Sequence, residues 1–367
     1  MNPAGLYIHI PFCSSRCSYC DFATGIYQNE LAERYVRALV AEIELSPLRG
    51  ASVDTIYFGG GTPSLLEPAQ LRRILSAARD RFTVDETSEI TLEINPGSAT
   101  FDRLREFREL GINRASFGAQ TFDDRELAKL GRSHTAADAR RTFHDLRAAG
   151  FTNVSFDLIA GLPGQTLAGW QRNVDEALAL RPEHLSFYLL EVHSGTPLAQ
   201  HIERGIQPVP DEDLAAVMYQ SMLERAVAAG YEHYEISNLC LPGFQTRHNT
   251  KYWIGEPYFG FGCSAHSYDG EKRRWANQRD VLEYVRLVEQ GLKPLAEEHE
   301  LTMQDLRSEA LFLGLRLMRG VRTDLCKDYE PDLERFKAAG LLELDGDYIK
   351  LTRNGALLSN EVFSAFV

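Results

Sequence analysis

Six short β-rich stretches recur along the first half of the chain, each followed by a helical segment, and this rhythm restricts the fold more than any other feature. They are GLYIHI (5–10), VDTIYF (53–58), EITLEI (89–94), RASFGA (114–119), VSFDLIA (154–160) and HLSFYLL (184–190). Strands that alternate with helices run parallel, because every connection must cross back over the sheet. The intervening segments carry the helical period: in PAQLRRILSAARDRF, Leu71, Ile74, Leu75 and Ala78 fall on one face with arginines opposite. TAADARRTFHDLRAAG repeats the arrangement and closes on Gly150, a C-terminal cap. No GxGxxG follows the first strand, so the pattern favours a barrel-like sheet over a dinucleotide-binding one. Six repeats, where a closed barrel has eight, leave it incomplete. The expected fold class is α/β: a partial (β/α)6 TIM-like barrel with a small C-terminal α+β, winged-helix-like module.

The rhythm changes near Pro208. A long helix is expected near 211–229, then an aromatic-rich irregular stretch to about 270. From Glu300 the chain reads helix, helix, then GLLELDGDYIKLT, whose DGD marks a hairpin turn. The expected organisation is a core domain at 1–235, a connecting region at 236–295 and a C-terminal domain at 296–367. Hydrophobic residues at 44% and charged residues at 25% describe a globular chain with an adequate core. A formal charge of −13, with no run of lysine and arginine, argues against nucleic acid as a partner. The start, MNPAGLYIHIPF, lacks the basic region of a secretory signal, and no apolar run approaches the roughly 20 residues that span a bilayer. The chain is therefore expected to be cytoplasmic and without a transmembrane segment.

Half of the six cysteines, Cys13, Cys17 and Cys20, fall within HIPFCSSRCSYCDFATG, directly after the first strand, where βα proteins collect ligands. A disulfide would leave one thiol over and suits a reducing compartment poorly. A structural zinc site wants four protein ligands and would need His9 or Asp21. Buried core cysteines at helical spacing are a third reading, but PFCSSRCSYC is a poor helix. The fourth is an iron–sulfur cluster. A cubane has four irons, and three thiolates leave one of them open for another ligand.

CxxxCxxC after the first strand of a partial βα barrel resembles the signature of the radical S-adenosylmethionine (SAM) superfamily. The resemblance implies a 4Fe-4S cluster on Cys13, Cys17 and Cys20, with SAM chelating the open iron and being cleaved to a 5′-deoxyadenosyl radical. It implies an adenine contact at Tyr19 and a methionyl contact at Gly60, Gly61 and Thr62 in YFGGGTPSLL. Glycines there admit a ligand close to the backbone, and exposed N–H groups can hold a carboxylate. Glu93 in LEINP, Gln120 in GAQTF, Arg132 in KLGRSH and Asp157 in SFDLIAGLP interrupt apolar sequence at strand ends. For any one of them a structural ion pair, such as Glu93 with Arg132, is the plain alternative. As a set they are similar to the SAM-binding residues of the oxygen-independent coproporphyrinogen III oxidase group. Tyr7 on the first strand joins them as a cofactor contact, and GLPGQT matches that group's turn after the fifth strand.

Two departures separate the chain from the oxidase proper. That enzyme has CxxxCxxCxC where Phe22 stands here, and it carries an extension before the first strand. Both point to the shorter HemW-type heme chaperones, whose HNxxYW motif stands here as HNTKYW, His248 to Trp253. The resemblance implies a protein that binds heme and hands it to heme-accepting proteins, membrane respiratory enzymes among them. Imidazole is a common axial ligand of heme iron, so His248 is the expected ligand, with Asn249, Tyr252 and Trp253 beside it. Tyr252, Trp253, Tyr258, Phe259 and Phe261 would form an aromatic platform. Cys263 and His266 are weaker candidates for the same site, while Cys240 and Cys326 read as buried apolar residues. The alternatives are an oxidase that decarboxylates two propionates of coproporphyrinogen III, and a zinc-stabilised interaction protein.

Overall fold

The structure is a computed structural model that describes residues 2–366. Met1 and Val367, the outer bounds of the expected domains, lie outside the described residues. All six expected strands form: β1 (Ala4–Ile10), β2 (Ser52–Gly60), β3 (Thr83–Ile94), β4 (Arg114–Gln120), β5 (Val154–Ala160) and β6 (His184–Leu189). Each pairs in parallel with the next. The helices between them are α1 (Asn29–Leu45), α2 (Pro68–Arg81), α3 (Phe101–Glu109), α4 (Ala136–Ala148) and α5 (Leu167–Leu180). Their starts are chemically marked. Thr135 accepts from Asp138 N–H while the Asp138 carboxylate accepts from Thr135 N–H, a reciprocal cap on α4.

Alternation along each strand sorts side chains to two faces. Leu6, Ile8, Ile10, Ile56, Phe58, Leu92, Phe117, Phe156 and Leu185 are buried in the main hydrophobic core. The other face carries Tyr7 and His9, Thr55 and Tyr57, Thr91 and Glu93, Arg114 and Ser116, Asp157, and His184 and Ser186. A fully covered parallel sheet would read as continuous apolar runs. Here the inner face is polar, and the barrel encloses a chemical interior.

After α6 (Glu212–Ala228) come β7 (Glu232–Glu235), β8 (Asn238–Cys240), α7 (Arg247–Ile254), β9 (Tyr258–Phe261), β10 (His266–Tyr268), β11 (Arg273–Asn277), α8 (Val281–Glu289) and β12 (Leu295–Glu300). The stretch expected to be an irregular connector is therefore woven into the sheet. The strand order is β12-β11-β10-β9-β1-β2-β3-β4-β5-β6-β8-β7. β9 runs parallel to β1, whereas β10 to β12 and the β8–β7 pair are antiparallel. No ladder joins β7 to β12 among the described residues, so the barrel stays open. These strands are too short, and too rich in turn residues, for period-two alternation to stand out.

The last segment is α9 (Met303–Gly314), β13 (Val321–Arg322), α10 (Glu330–Ala338), β14 (Leu342–Asp345) and β15 (Tyr348–Leu351). The expected hairpin forms, with Gly346 at φ 59° in its turn. This segment has its own core, in which Leu311, Leu315, Phe336, Ile349 and Val362 are buried. It docks on β7, where Arg316 meets the fully buried Glu235 at 2.7 Å. No helix of the described residues is long and apolar enough to cross a membrane.

Candidate functional site

The cysteine loop leaves the carboxyl end of β1 and is tied at base and tip. Phe12–Cys13 pairs with Gly25–Ile26 as a short parallel ladder. Ser18 N–H donates to Leu130 O at 2.9 Å, and Leu198 N–H donates to Ser18 O at 2.8 Å. Cys13, Cys17 and Cys20 are free, half-buried thiols. Burial pushes the Cys13 and Cys20 thiols up, so a thiolate there needs a positive charge beside it.

Two of the thiols are bridged by side chains from three separate loops, Thr62 and Asn95 just after β2 and β3 and Arg132 further along the connection that leaves β4. Thr62 Oγ1 donates to Cys13 Sγ at 3.8 Å, and Asn95 Nδ2 donates to Thr62 Oγ1 at 2.7 Å. Arg132 Nη2 donates to Asn95 Oδ1 at 3.0 Å and Gly118 O at 2.7 Å, while its Nη1 reaches Cys17 Sγ at 3.5 Å. Asn95 is absent from the expected set, because an asparagine before proline is an ordinary loop signal. Glu93 and Arg132 do not pair with each other. Glu93 accepts from Tyr57 Oη at 2.7 Å and from Gly60 N–H at 3.1 Å.

The glycine run packs closely against the cysteine loop. Its amides are not open to a carboxylate: Gly60 N–H goes to Glu93, Gly61 N–H to Ile10 O at 2.8 Å and Thr62 N–H to Phe12 O at 2.7 Å. Gly60 has φ 113°, and a Cβ there would lie 2.5 Å from the His9 ring; one on Gly61 would lie 2.6 Å from Phe12 O. The glycines let the end of β2 press against the cysteine loop and hold it in place.

Around this edge stand the other expected contacts. Burial pushes Glu93 up to about 7 and Asp157 up to about 6, so both can hold or release a proton near neutral pH. Gln120 sits at φ 63°, a strained conformation that structures retain where function requires it. Tyr19 packs on the small apolar cluster of Leu130, Ile159 and Leu162. Tyr7 donates to or accepts from His9 Nδ1 at 3.0 Å and stacks on Tyr57 with centroids 6.2 Å apart. Deeper in the barrel lies Arg114, a buried guanidinium that reaches Thr246 Oγ1 at 3.4 Å and whose Nε has no partner. Arg114, Tyr57 and His184 escaped the sequence reading. Their signal was the polar member of every second position along each strand.

The HNTKYW segment forms α7, and the Glu89 carboxylate caps it by accepting from Arg247 N–H and His248 N–H, each at 3.1 Å. The helix carries His248 into the barrel. His248 Nδ1 bonds Thr55 Oγ1 and Nε2 bonds Tyr252 Oη, both at 2.8 Å, and the ring stacks on Tyr57 at 5.2 Å. Burial lowers its pKa to about 3. Both nitrogens of His248, the expected heme ligand, thus have protein partners in this structure. The five-residue platform also divides. Tyr252 and Tyr258 meet edge to face at 4.6 Å, but Trp253 turns away beneath Arg316, 4.3 Å from its guanidinium. Phe259 and Phe261 pack on Trp275 and Phe82 instead, because neighbouring strand residues point to opposite faces. Asn249 stands half-buried on the same helix.

Residues 7–177 match the model of the radical SAM superfamily, and residues 301–358 match the HemN C-terminal domain. The heme chaperone HemW of Bacillus subtilis (strain 168) is 36% identical, with 98% of each chain covered. The heme chaperone HemW of Mycobacterium tuberculosis (strain ATCC 25618 / H37Rv) is 38% identical over 98% of this chain and 94% of its own. The chain belongs to the HemW family. In fold it also matches the coproporphyrinogen III oxidase HemN of Escherichia coli, a radical SAM enzyme, with a TM-score of 0.86 over 99% of this chain and 90% of that one at 24% identity.

The donors fit what a HemW-family radical SAM chain implies. His9, which with Asp21 is one of two residues a zinc site could draw on, spends Nδ1 on Tyr7 and Nε2 on Ala23 O, each at 3.0 Å. Three thiols on one anchored loop, with two hydrogen-bonded from the far side, suit a polynuclear cluster with a free corner.

Proposed function

We propose that the chain is a cytoplasmic heme chaperone, binding heme and passing it to heme-requiring proteins, membrane respiratory enzymes among them. Its end-to-end correspondence with the HemW chaperones carries this reading. Cys13, Cys17 and Cys20 would hold a 4Fe-4S cluster, which when bound supplies one-electron reducing power at an open iron. Tyr19, Glu93, Gln120, Arg132 and Asp157 would hold SAM beside it, with Gly60, Gly61, Thr62 and Asn95 fixing the loop and Tyr7 closing the inner wall. Arg132 places its guanidinium beside Cys17, with Nη1 3.5 Å from the sulfur, and Glu93 and Asp157 balance a cationic ligand without fixing a full negative charge. Phe22 stands where the oxidase places a further cysteine.

Hemin titration of the anaerobically reconstituted chain tests this, followed by mixing with an apo b-type heme protein. Saturable uptake and transfer are expected. A parallel assay with reductant, SAM and coproporphyrinogen III should give no sustained decarboxylation. Steady product formation, or failure to bind hemin, would overturn the reading.

A further inference from the structure

A cavity of 360 Å³ opens beside the cysteine loop, lined by Tyr7, His9, Phe22, Tyr252, Tyr258, His266 and Arg279 among others. Ligand sites typically occupy about 300–1,000 Å³ and combine apolar walls with a few fixed polar groups. His266 is the ring on this wall that is free to bind. It is exposed on β10, and its side chain makes no hydrogen bond among the described residues, whereas His9 and His248 have both nitrogens engaged. Arg279 forms no ion pair among the described residues and spends one Nη2 contact on Asp21 O at 2.7 Å. Phe22 is a large apolar side chain left 64% exposed at the cavity rim.

The backbone that presents His266 is held rigidly and in part under strain. Gly262 has φ 96°, and a Cβ there would meet Tyr35 Oη at 2.4 Å and His9 O at 2.7 Å. Ser264, two residues before His266 and itself on the cavity wall, has φ 58°. Non-glycine residues in that region are strained and persist where the surroundings fix them, often at ligand sites.

We infer that His266 is the axial ligand of heme iron, that Tyr252, Tyr258 and Phe22 pack against the macrocycle, and that Arg279 pairs with a propionate. This rests on the chaperone reading and names the site within it. Neutral imidazole donates its lone pair to iron, and guanidinium–carboxylate pairing fixes the anionic edge.

The test is hemin binding to the whole reconstituted chain as wild type, His266→Ala, Arg279→Gln and His248→Gln, with folding checked by circular dichroism. His266→Ala should weaken hemin binding at least tenfold and abolish the histidine-ligated absorption and EPR signature, and millimolar imidazole should restore the signature. Arg279→Gln should weaken hemin binding several-fold, yet leave binding of heme dimethyl ester, which lacks the anionic edge, unchanged. His248→Gln should keep the wild-type signature. A wild-type spectrum and affinity in His266→Ala would overturn this assignment while leaving the chaperone reading intact; no hemin uptake by wild type would overturn both.

Discussion

Gly60 occupies a position with no room for a side chain, since φ 113° and the His9 ring exclude a Cβ together. Gly60→Ala should cost about 1–3 kcal/mol from the backbone alone, read as a lower denaturation midpoint, and should reduce the iron retained after reconstitution because the cysteine loop loses its seat. A variant with unchanged midpoint and iron would show that the loop has slack. At the cluster edge, Asn95→Ala should leave the fold intact but lower iron retention, since Thr62 and Arg132 then lose their common partner. The three cysteines were legible because their spacing is local and their number unusual. The partners of His248 cannot be read from HNTKYW because they are not local: Thr55 lies 193 residues away, and no motif announces that both nitrogens will be engaged. Asn95 and Arg114 were hidden for the same reason, each defined by neighbours from other strands.

At the scale of elements, α7 is short, with eight residues, and depends on its ends. Glu89→Ala removes a carboxylate that caps two amides at the helix start and should cost about 1–2 kcal/mol, measured as thermal destabilisation. Glu89→Gln, which keeps one acceptor, should recover part of that loss; equal losses would mean the carboxylate acts by charge alone. The six parallel strands and their helices could be read in advance because each alternates or repeats over enough residues to reveal its period. β7 to β10 span only three or four residues each, and what makes them strands is a waiting sheet edge, supplied by β6 on one side and β1 on the other. The hairpin β14–β15 was visible because its turn chemistry is written in the sequence.

Across the whole molecule, burial sets opposing pH trends. Glu42 and Glu93 are pushed up to about 7 and Asp157 up to about 6, so the folded chain binds their protons more tightly than the unfolded one. Their favourable contribution is complete at low pH and is lost as pH rises toward 7. Buried His248, lowered to about 3, works the other way: its contribution is present above the ordinary histidine range and is lost as pH falls. Glu42 isolates the first trend, because it lies away from the cysteine loop and accepts from Tyr284 Oη at 2.6 Å and Gly262 N–H at 2.9 Å. The stability of Glu42→Gln relative to wild type should therefore rise between pH 5 and 8, by roughly 2–3 kcal/mol for a carboxyl pushed to about 7. Parallel denaturation curves for the two proteins across that range would contradict it. His9 adds a last consequence. Its ring is wedged against Gly60 on the thiol side, and its carbonyl against Gly262, which begins the turn toward His266. One residue thus braces both neighbourhoods, the glycine end of β2 with its ring and the turn toward His266 with its backbone, so a larger side chain at either glycine would have to displace the same histidine.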